Sequence, residues 1–94
     1  MIIGHYANHV AAQGGIETYL MRIAIAQQAA GHSVYYFSKY GNEESLEGIP
    51  VIRVNTDEAL YAAAKRLKVD VLHLHAEVGM LPPFDLAVLR TIHG

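Results

Sequence analysis

The chain has 94 residues, with 7 lysine and arginine residues against 9 aspartate and glutamate residues, and a formal net charge of -2. Hydrophobic residues make up 52% and charged residues 17%, which is typical of one small folded domain and not of a disordered chain. The absence of cysteine excludes disulfides, a thiol nucleophile and thiolate metal ligands.

The charge and hydropathy also set expectations about partners and location. A net charge of -2 provides no basic surface for nucleic acid or for an anionic membrane. The first ten residues, MIIGHYANHV, lack the basic and long apolar segments of a signal peptide, and no apolar run approaches the length of a membrane span. We therefore expect a cytoplasmic protein.

The first half of the chain predicts a strand, a helix and a second strand. Residues 1–6 form an apolar run that is typical of a buried strand. After a loop over residues 7–15, apolar residues recur at helical spacing, and the helix should end next to Gly31, which favours the left-handed conformation. Residues 33–38 are rich in β-branched and aromatic side chains and predict a second strand, followed by a polar loop over residues 39–48.

The second half predicts two further strands around a helix, and then a fifth strand. Residues 50–54 predict a strand that begins at its proline, where no ladder hydrogen bond is lost. Asn55 has the character of an N-cap, with Glu58 three residues later as in a capping box. The following helix leads into strands at residues 69–74 and 87–92.

This alternation of apolar strands and helices predicts an α/β fold. We expect a single domain over residues 1–94, built as a three-layer Rossmann-like parallel sheet of about five strands covered by helices on both faces. Right-handed crossovers give the strand order 3-2-1-4-5. In such sheets, ligands bind at the carboxyl ends of the strands, where the strand order reverses.

Histidines are concentrated at that edge of the predicted sheet. His32 falls at the opposite end and is expected to be structural, while the other five follow or end strands one, four and five: His5, His9, His73, His75 and His93. We include His9 and Glu77 among the candidate binding residues. Glu77 would act as a general base or as a polar contact, and the alternative is a solvated loop carboxylate.

The paired glycines before the first helix suit an anion. Gly14 and Gly15 let the backbone approach a ligand closely, and a helix N-terminus supplies free N–H groups and a partial positive charge. The pattern is not GxGxxG, no P-loop lysine follows, and Glu17 in the first turn opposes an anion. The alternative is a plain loop that needs glycine for its backbone conformation.

His73 and His75 share one face of a strand, because side chains alternate along it. They could ligate zinc with His5 or His93 as a third ligand, but no carboxylate or thiolate completes the set, and we assign no metal ion and no cofactor. Hydrogen bonds to a sugar or phosphate, or histidines satisfied within the sheet edge, are the alternatives.

Four segments in order resemble retaining GT-B glycosyltransferases of the group 1, or family 4, type. They are GGIETYLMRIAIAQQAAGHSVYYFS from residue 14, GIPVIRV from residue 48, VDVLHLH from residue 69 and TIHG from residue 91. The resemblance covers essentially the whole chain and implies an acceptor-side half domain of an enzyme that transfers a sugar from a nucleotide-sugar to an acceptor.

The resemblance also implies roles for individual residues. His93, in the Thr-x-His-Gly motif, would face the transferred sugar as the catalytic-site histidine. Gly14 and Gly15 would approach the donor pyrophosphate or an acceptor anion, and His75 would line the acceptor cleft. Chemistry in this family is metal-independent.

The sequence departs from the family pattern in two places. Residues 76–85 are too short for the usual helix between strands four and five, and the chain stops at residue 94, before the donor-binding half. We therefore expect a truncated domain that is inactive alone, with any membrane-surface association confined to absent regions. A small flavodoxin-like module that binds an anion or a protein without catalysis is the alternative function.

The sequence also predicts that two copies of the chain associate. The fifth strand is apolar and lacks a neighbour on its far side, so two copies should pair there into a homodimer. The competing outcome is that residues 76–86 fold back over this edge, with Pro82 and Pro83 blocking strand addition.

Overall fold

The computed structural model describes residues 1–11 and 15–91, with the backbone alone for residues 15–17. Within these ranges the chain forms an α/β fold, as predicted, with six strands and two helices. In chain order they are β1 (Ile2–Ala7), α1 (Gly15–Ala29), β2 (Ser33–Ser38), β3 (Ser45–Leu46), β4 (Ile49–Arg53), α2 (Asp57–Arg66), β5 (Val71–Leu74) and β6 (Ala87–Arg90).

All six strands belong to one mixed sheet, in the order β3-β4-β2-β1-β5-β6. The pairs β1–β2, β1–β5, β2–β4 and β5–β6 are parallel, and the short β3 pairs antiparallel with β4. The sheet therefore has one strand more than the sequence predicts and is not wholly parallel.

The additional strand β3 lies in the segment that the sequence predicts as loop. Leu46 pairs with Ile49, and the two residues between them both have positive φ, 52° at Glu47 and 78° at Gly48. Two residues with positive φ form the tight turn that suits an antiparallel hairpin. Glu-Gly is a weaker signal for this turn than Asn-Gly or Asp-Gly, which is why the sequence does not reveal it.

The core has two parts, one on each face of the sheet, because neighbouring residues of a strand point to opposite faces. On one face, Tyr36 belongs to a cluster with Leu20 of α1. On the other, Phe37 belongs to a cluster with Leu60 and Tyr61 of α2. The two helices thus cover opposite faces, as predicted.

The chain between β5 and β6 packs against the core on the α2 face. Val78 is buried in that core and Phe84 packs against it. The Tyr61 hydroxyl donates a hydrogen bond of 2.7 Å to the Met80 carbonyl, and the Gly79 amide donates one of 2.8 Å to Asp57 Oδ2. Hydrogen bonds and apolar contacts therefore hold this segment against α2, and the segment itself contains no helix.

At the edge of the sheet, β6 pairs with β5 and leaves Ala87 and Leu89 exposed. The end of the predicted fifth strand, residues 92–94, lies outside the described residues. Neither described helix is long and apolar enough to cross a membrane.

The ends of the elements follow local chemistry. The first helix ends at Ala29, and Gly31 has a φ of 96°, as predicted. The predicted cap of the second helix was wrong. Thr56, not Asn55, is the N-cap, because its backbone is extended and its hydroxyl accepts a hydrogen bond of 3.0 Å from the Ala59 amide.

Two strand boundaries also differ from the sequence prediction. The strand β4 begins at Ile49, so its proline occupies the second position. The strand β5 begins at Val71, because the Val69 amide still bonds to the Ala64 carbonyl at the end of α2. Asp70 has a structural role: its carboxylate accepts a hydrogen bond of 2.7 Å from the Ile2 amide, and its own amide donates to the Ile2 carbonyl.

Replacing Gly4 by alanine should destabilise the protein. A Cβ at this position would lie 2.6 Å from Phe37 Cε2 and 3.2 Å from Leu72 Cδ1, and both side chains are fully buried. We expect Gly4→Ala to lower the free energy of unfolding by about 1–3 kcal/mol, measured by urea denaturation. Combining it with Phe37→Leu should cost less than the sum of the two single changes, and strict additivity would contradict the proposed clash.

The two candidate caps of α2 form a matched pair for mutation, since both side chains are exposed. Thr56→Ala removes the acceptor for the Ala59 amide and should lower the free energy of unfolding by about 1 kcal/mol. Asn55→Ala should leave it within about 0.5 kcal/mol of the wild type. The reverse ranking in urea denaturation would show that Asn55 caps the helix.

Candidate functional site

Three buried histidines, one in β1 and two in or just after β5, form a cluster on the α1 face of the sheet. The register of β1 and β5 sets His5 directly opposite His73. His75 follows two residues later, and its amide donates a hydrogen bond of 2.8 Å to the Tyr6 carbonyl, which continues the parallel ladder past β5. Because side chains two residues apart share a face, all three imidazoles meet.

Hydrogen bonds define the orientation of the His5 ring. Its Nε2 lies 2.6 Å from Gln27 Oε1 of α1, so Nε2 carries the proton and donates it. A neutral ring then has a lone pair on Nδ1, which lies 3.1 Å from His75 Nε2. His5 therefore contacts Gln27 of α1 through Nε2 and His75 through Nδ1.

The other two rings stack on one another. The centroids of His73 and His75 are 3.9 Å apart, with 31° between the ring planes. His73 Nε2 is hydrogen-bonded to the hydroxyl of Thr91, one residue after β6. Tyr19 of α1 meets His75 edge to face, with centroids 6.4 Å apart. Contacts from α1 and from the end of β6 thus hold the cluster on two sides.

Burial favours the neutral form of His5. His5 is fully buried, and 6% of His73 and 5% of His75 remain exposed. Loss of hydration lowers the pKa of His5 from 6.5 to about 4, with the neighbouring His73 adding to the decrease and the hydrogen bond to Gln27 opposing it. His5 is therefore neutral at physiological pH, and its Nδ1 lone pair is available.

This arrangement can bind a metal ion or donate and accept hydrogen bonds. One ring nitrogen from each of the three histidines lies within 4.8 Å of the others. Neutral imidazole nitrogen is a common ligand for zinc, copper, iron and nickel. Among the described residues, this is the one group of three or more histidine or carboxylate side chains placed to hold an ion.

The structure brings together some of the sequence-predicted residues and separates others. His75 lies in the cluster, whereas His9 lies beside the loop after β2, with Nε2 3.8 Å from Glu43 Oε1. Glu77 is exposed. Gly15 is the first residue of α1, whereas the sequence prediction places it at the end of the preceding loop. Gly14 and His93 lie outside the described residues.

Two residues that orient the histidines were not predicted as part of the site. Gln27 is half-buried and lies on the same face of α1 as the buried residues Leu20 and Ala24. A polar residue in an otherwise apolar stripe is a signal that sequence reasoning can use, because a buried amide needs a partner. Thr91 gives no comparable signal, since a threonine at the end of a strand is common.

Comparisons of the chain with protein-family models, with curated proteins and with solved structures found no significant match. The function is therefore inferred from the site itself and from the resemblance of the sequence motifs.

The low pKa of His5 should make stability depend on pH. Between pH 6.5 and pH 4 the unfolded chain binds a proton at this position and the folded chain does not, so stability falls as pH decreases through this range. We expect His5 to account for a loss of about 2 kcal/mol between about pH 7.5 and about pH 5, measured by urea denaturation with a chelator present.

The variant His5→Gln removes this titrating group and should show a correspondingly smaller pH effect. His32→Gln, which changes a histidine just before β2 and away from the cluster, is the matched control and should retain the wild-type effect. An equal pH effect in His5→Gln and wild type would contradict a buried neutral His5.

Proposed function

We propose that this chain is the N-terminal, acceptor-side part of a retaining GT-B glycosyltransferase, which moves a sugar from a nucleotide-sugar to an acceptor. The proposal includes a Rossmann-like arrangement of the five predicted strands in the order 3-2-1-4-5, where strands one to five correspond to β1, β2, β4, β5 and β6. It takes its enzyme class from the resemblance of the four sequence motifs and its binding edge from the position of the histidine cluster.

The observation that carries the proposal is the position of His75. It immediately follows β5, and β5 is paired in parallel with β1 on the side opposite β2. The chain continues from β1 to β2 on one side and reaches β5 on the other side, so the strand order reverses next to β1. Ligand crevices form at the carboxyl ends of strands where the order reverses in this way. The helix α1 begins at Gly15, after the loop that leaves β1, and its N-terminal amides suit an anionic group at the same edge.

In this proposal the cluster has a positioning task at the acceptor side. His75 lines the acceptor cleft, and the contacts with His5, His73 and Tyr19 hold its ring in one orientation. A fixed ring loses little conformational entropy when it hydrogen-bonds a sugar hydroxyl. His93 would face the transferred sugar, and Gly14 and Gly15 would approach the phosphate groups of the donor.

Sugar transfer requires a second domain. The resemblance assigns the nucleotide-sugar site to a C-terminal half that these 94 residues do not contain, and both halves must close around donor and acceptor to position them. For this segment the proposal therefore predicts binding at the acceptor side rather than turnover. A cytoplasmic location and pairing of two copies through β6 stay predictions.

Isothermal titration combined with amide NMR tests the proposal on the 94-residue chain. The ligands are simple glycosides, sugar phosphates, nucleoside diphosphates and nucleotide-sugars. We expect weak binding of a sugar-containing ligand, with the largest shifts at residues 14–19 and 73–77. His75→Ala should weaken binding by about tenfold, corresponding to about 1.4 kcal/mol, whereas His32→Ala changes a histidine outside the cluster and should bind like the wild type.

Two results would count against the proposal. Binding of inorganic phosphate that is lost in Gly15→Val, with no response to any sugar, would favour the flavodoxin-like anion-binding module. Sugar-induced shifts confined to the α2 face would place the ligand on the wrong side of the sheet.

A further inference from the structure

We propose that His5, His73 and His75 form a binding site for a divalent transition-metal ion of the zinc class. The proposal goes beyond the glycosyltransferase function and does not depend on it, because the resemblance implies metal-independent chemistry. It is carried by the convergence of three buried imidazoles, whose donor atoms lie within 4.8 Å of one another.

The separation of the donor atoms is close to what one ion requires. Zinc–nitrogen distances of 2.0–2.1 Å in a tetrahedral site place two ligand nitrogens about 3.4 Å apart. His5 Nδ1 and His75 Nε2 are already 3.1 Å apart. An ion there would take the place of the proton that these two nitrogens share, while His75 carries its proton on Nδ1. His73 is the third ligand, because one of its ring nitrogens lies within 4.8 Å of the other two donor atoms.

The surroundings of the rings resemble those of metal ligands. A histidine that binds a metal through one nitrogen commonly donates the other N–H to a fixed acceptor, which sets its tautomer and orientation. Gln27 Oε1 has this role for His5, at 2.6 Å, and leaves the Nδ1 lone pair directed at the cluster. The Thr91 hydroxyl holds Nε2 of His73. Both partners orient ligands without competing for the ion.

The donor set also selects the class of ion. Three imidazole ligands suit zinc, copper, nickel or iron and bind calcium and magnesium poorly, because calcium and magnesium ions prefer oxygen ligands. No carboxylate of the described residues joins the three rings, so the site has three protein ligands and would retain a coordination position for water or a substrate. Such an open position is typical of zinc ions that act as Lewis acids.

Titration of the metal-free protein with Zn²⁺, and separately with Co²⁺, tests the proposal. We expect one ion per chain with a dissociation constant in the micromolar range or tighter. Bound Co²⁺ should show the intense visible absorption of a four- or five-coordinate ion instead of the weak absorption of the hydrated ion. His73→Gln and His75→Gln should each weaken binding at least tenfold, and Gln27→Leu should weaken it by about tenfold.

His9→Gln and His32→Gln are the matched controls, since they remove histidines outside the cluster and should bind like the wild type. Circular dichroism establishes that each variant is folded. If a cluster variant does not fold, X-ray absorption of the zinc-loaded wild type gives the answer without mutation. It should show three imidazole nitrogens at about 2.0–2.1 Å.

The proposal is overturned if the wild type binds no zinc at micromolar concentration, if folded His75→Gln binds as tightly as the wild type, or if the absorption spectrum shows fewer than three imidazoles. None of these results bears on sugar binding, so the glycosyltransferase proposal would stand or fall separately.

Discussion

The parallel pairing of β1 with β5 is the constraint on which the site depends. It fixes His5 opposite His73, and the ladder continues far enough to bring His75 onto the same face. A shift of register by one residue would turn the histidines of one strand toward α2 and place leucines against α1. The apolar neighbours Leu72 and Leu74, buried in the opposite core, oppose that shift. The same packing that stabilises the sheet therefore positions the imidazoles.

A cluster of imidazoles in a core needs compensation, because a buried polar group without a partner costs free energy comparable to a lost hydrogen bond. Here the compensation comes from three elements: Gln27 in α1, the mutual contact of the rings in β1 and β5, and Thr91 after β6. Burial also keeps His5 uncharged at neutral pH, because it lowers the pKa of His5 to about 4. An oriented cluster with a neutral His5 is suited to binding a ligand through nitrogen lone pairs and N–H groups.

The sequence was most informative where the spacing of apolar residues and the positions of glycine and proline indicate the same element and the same boundary. The α/β class and the end of α1 before Gly31 were predictable for that reason. The cap of α2 lies one residue later than predicted, because adjacent Asn55 and Thr56 are both good N-cap residues and the sequence alone does not distinguish them. For the site, alternation along the strand predicted that His73 and His75 share a face. Their convergence with His5 and Gln27 depends on register and helix placement, which sequence period alone does not encode.

The ring-nitrogen NMR spectrum of the metal-free protein shows directly whether three imidazoles meet in the core. At neutral pH we expect a single tautomer for His5, with the proton on Nε2 and not on Nδ1, slow exchange with water, and nuclear Overhauser contacts from its ring to those of His73 and His75. Averaged tautomers, fast exchange and no contacts between these rings would show that the cluster does not form.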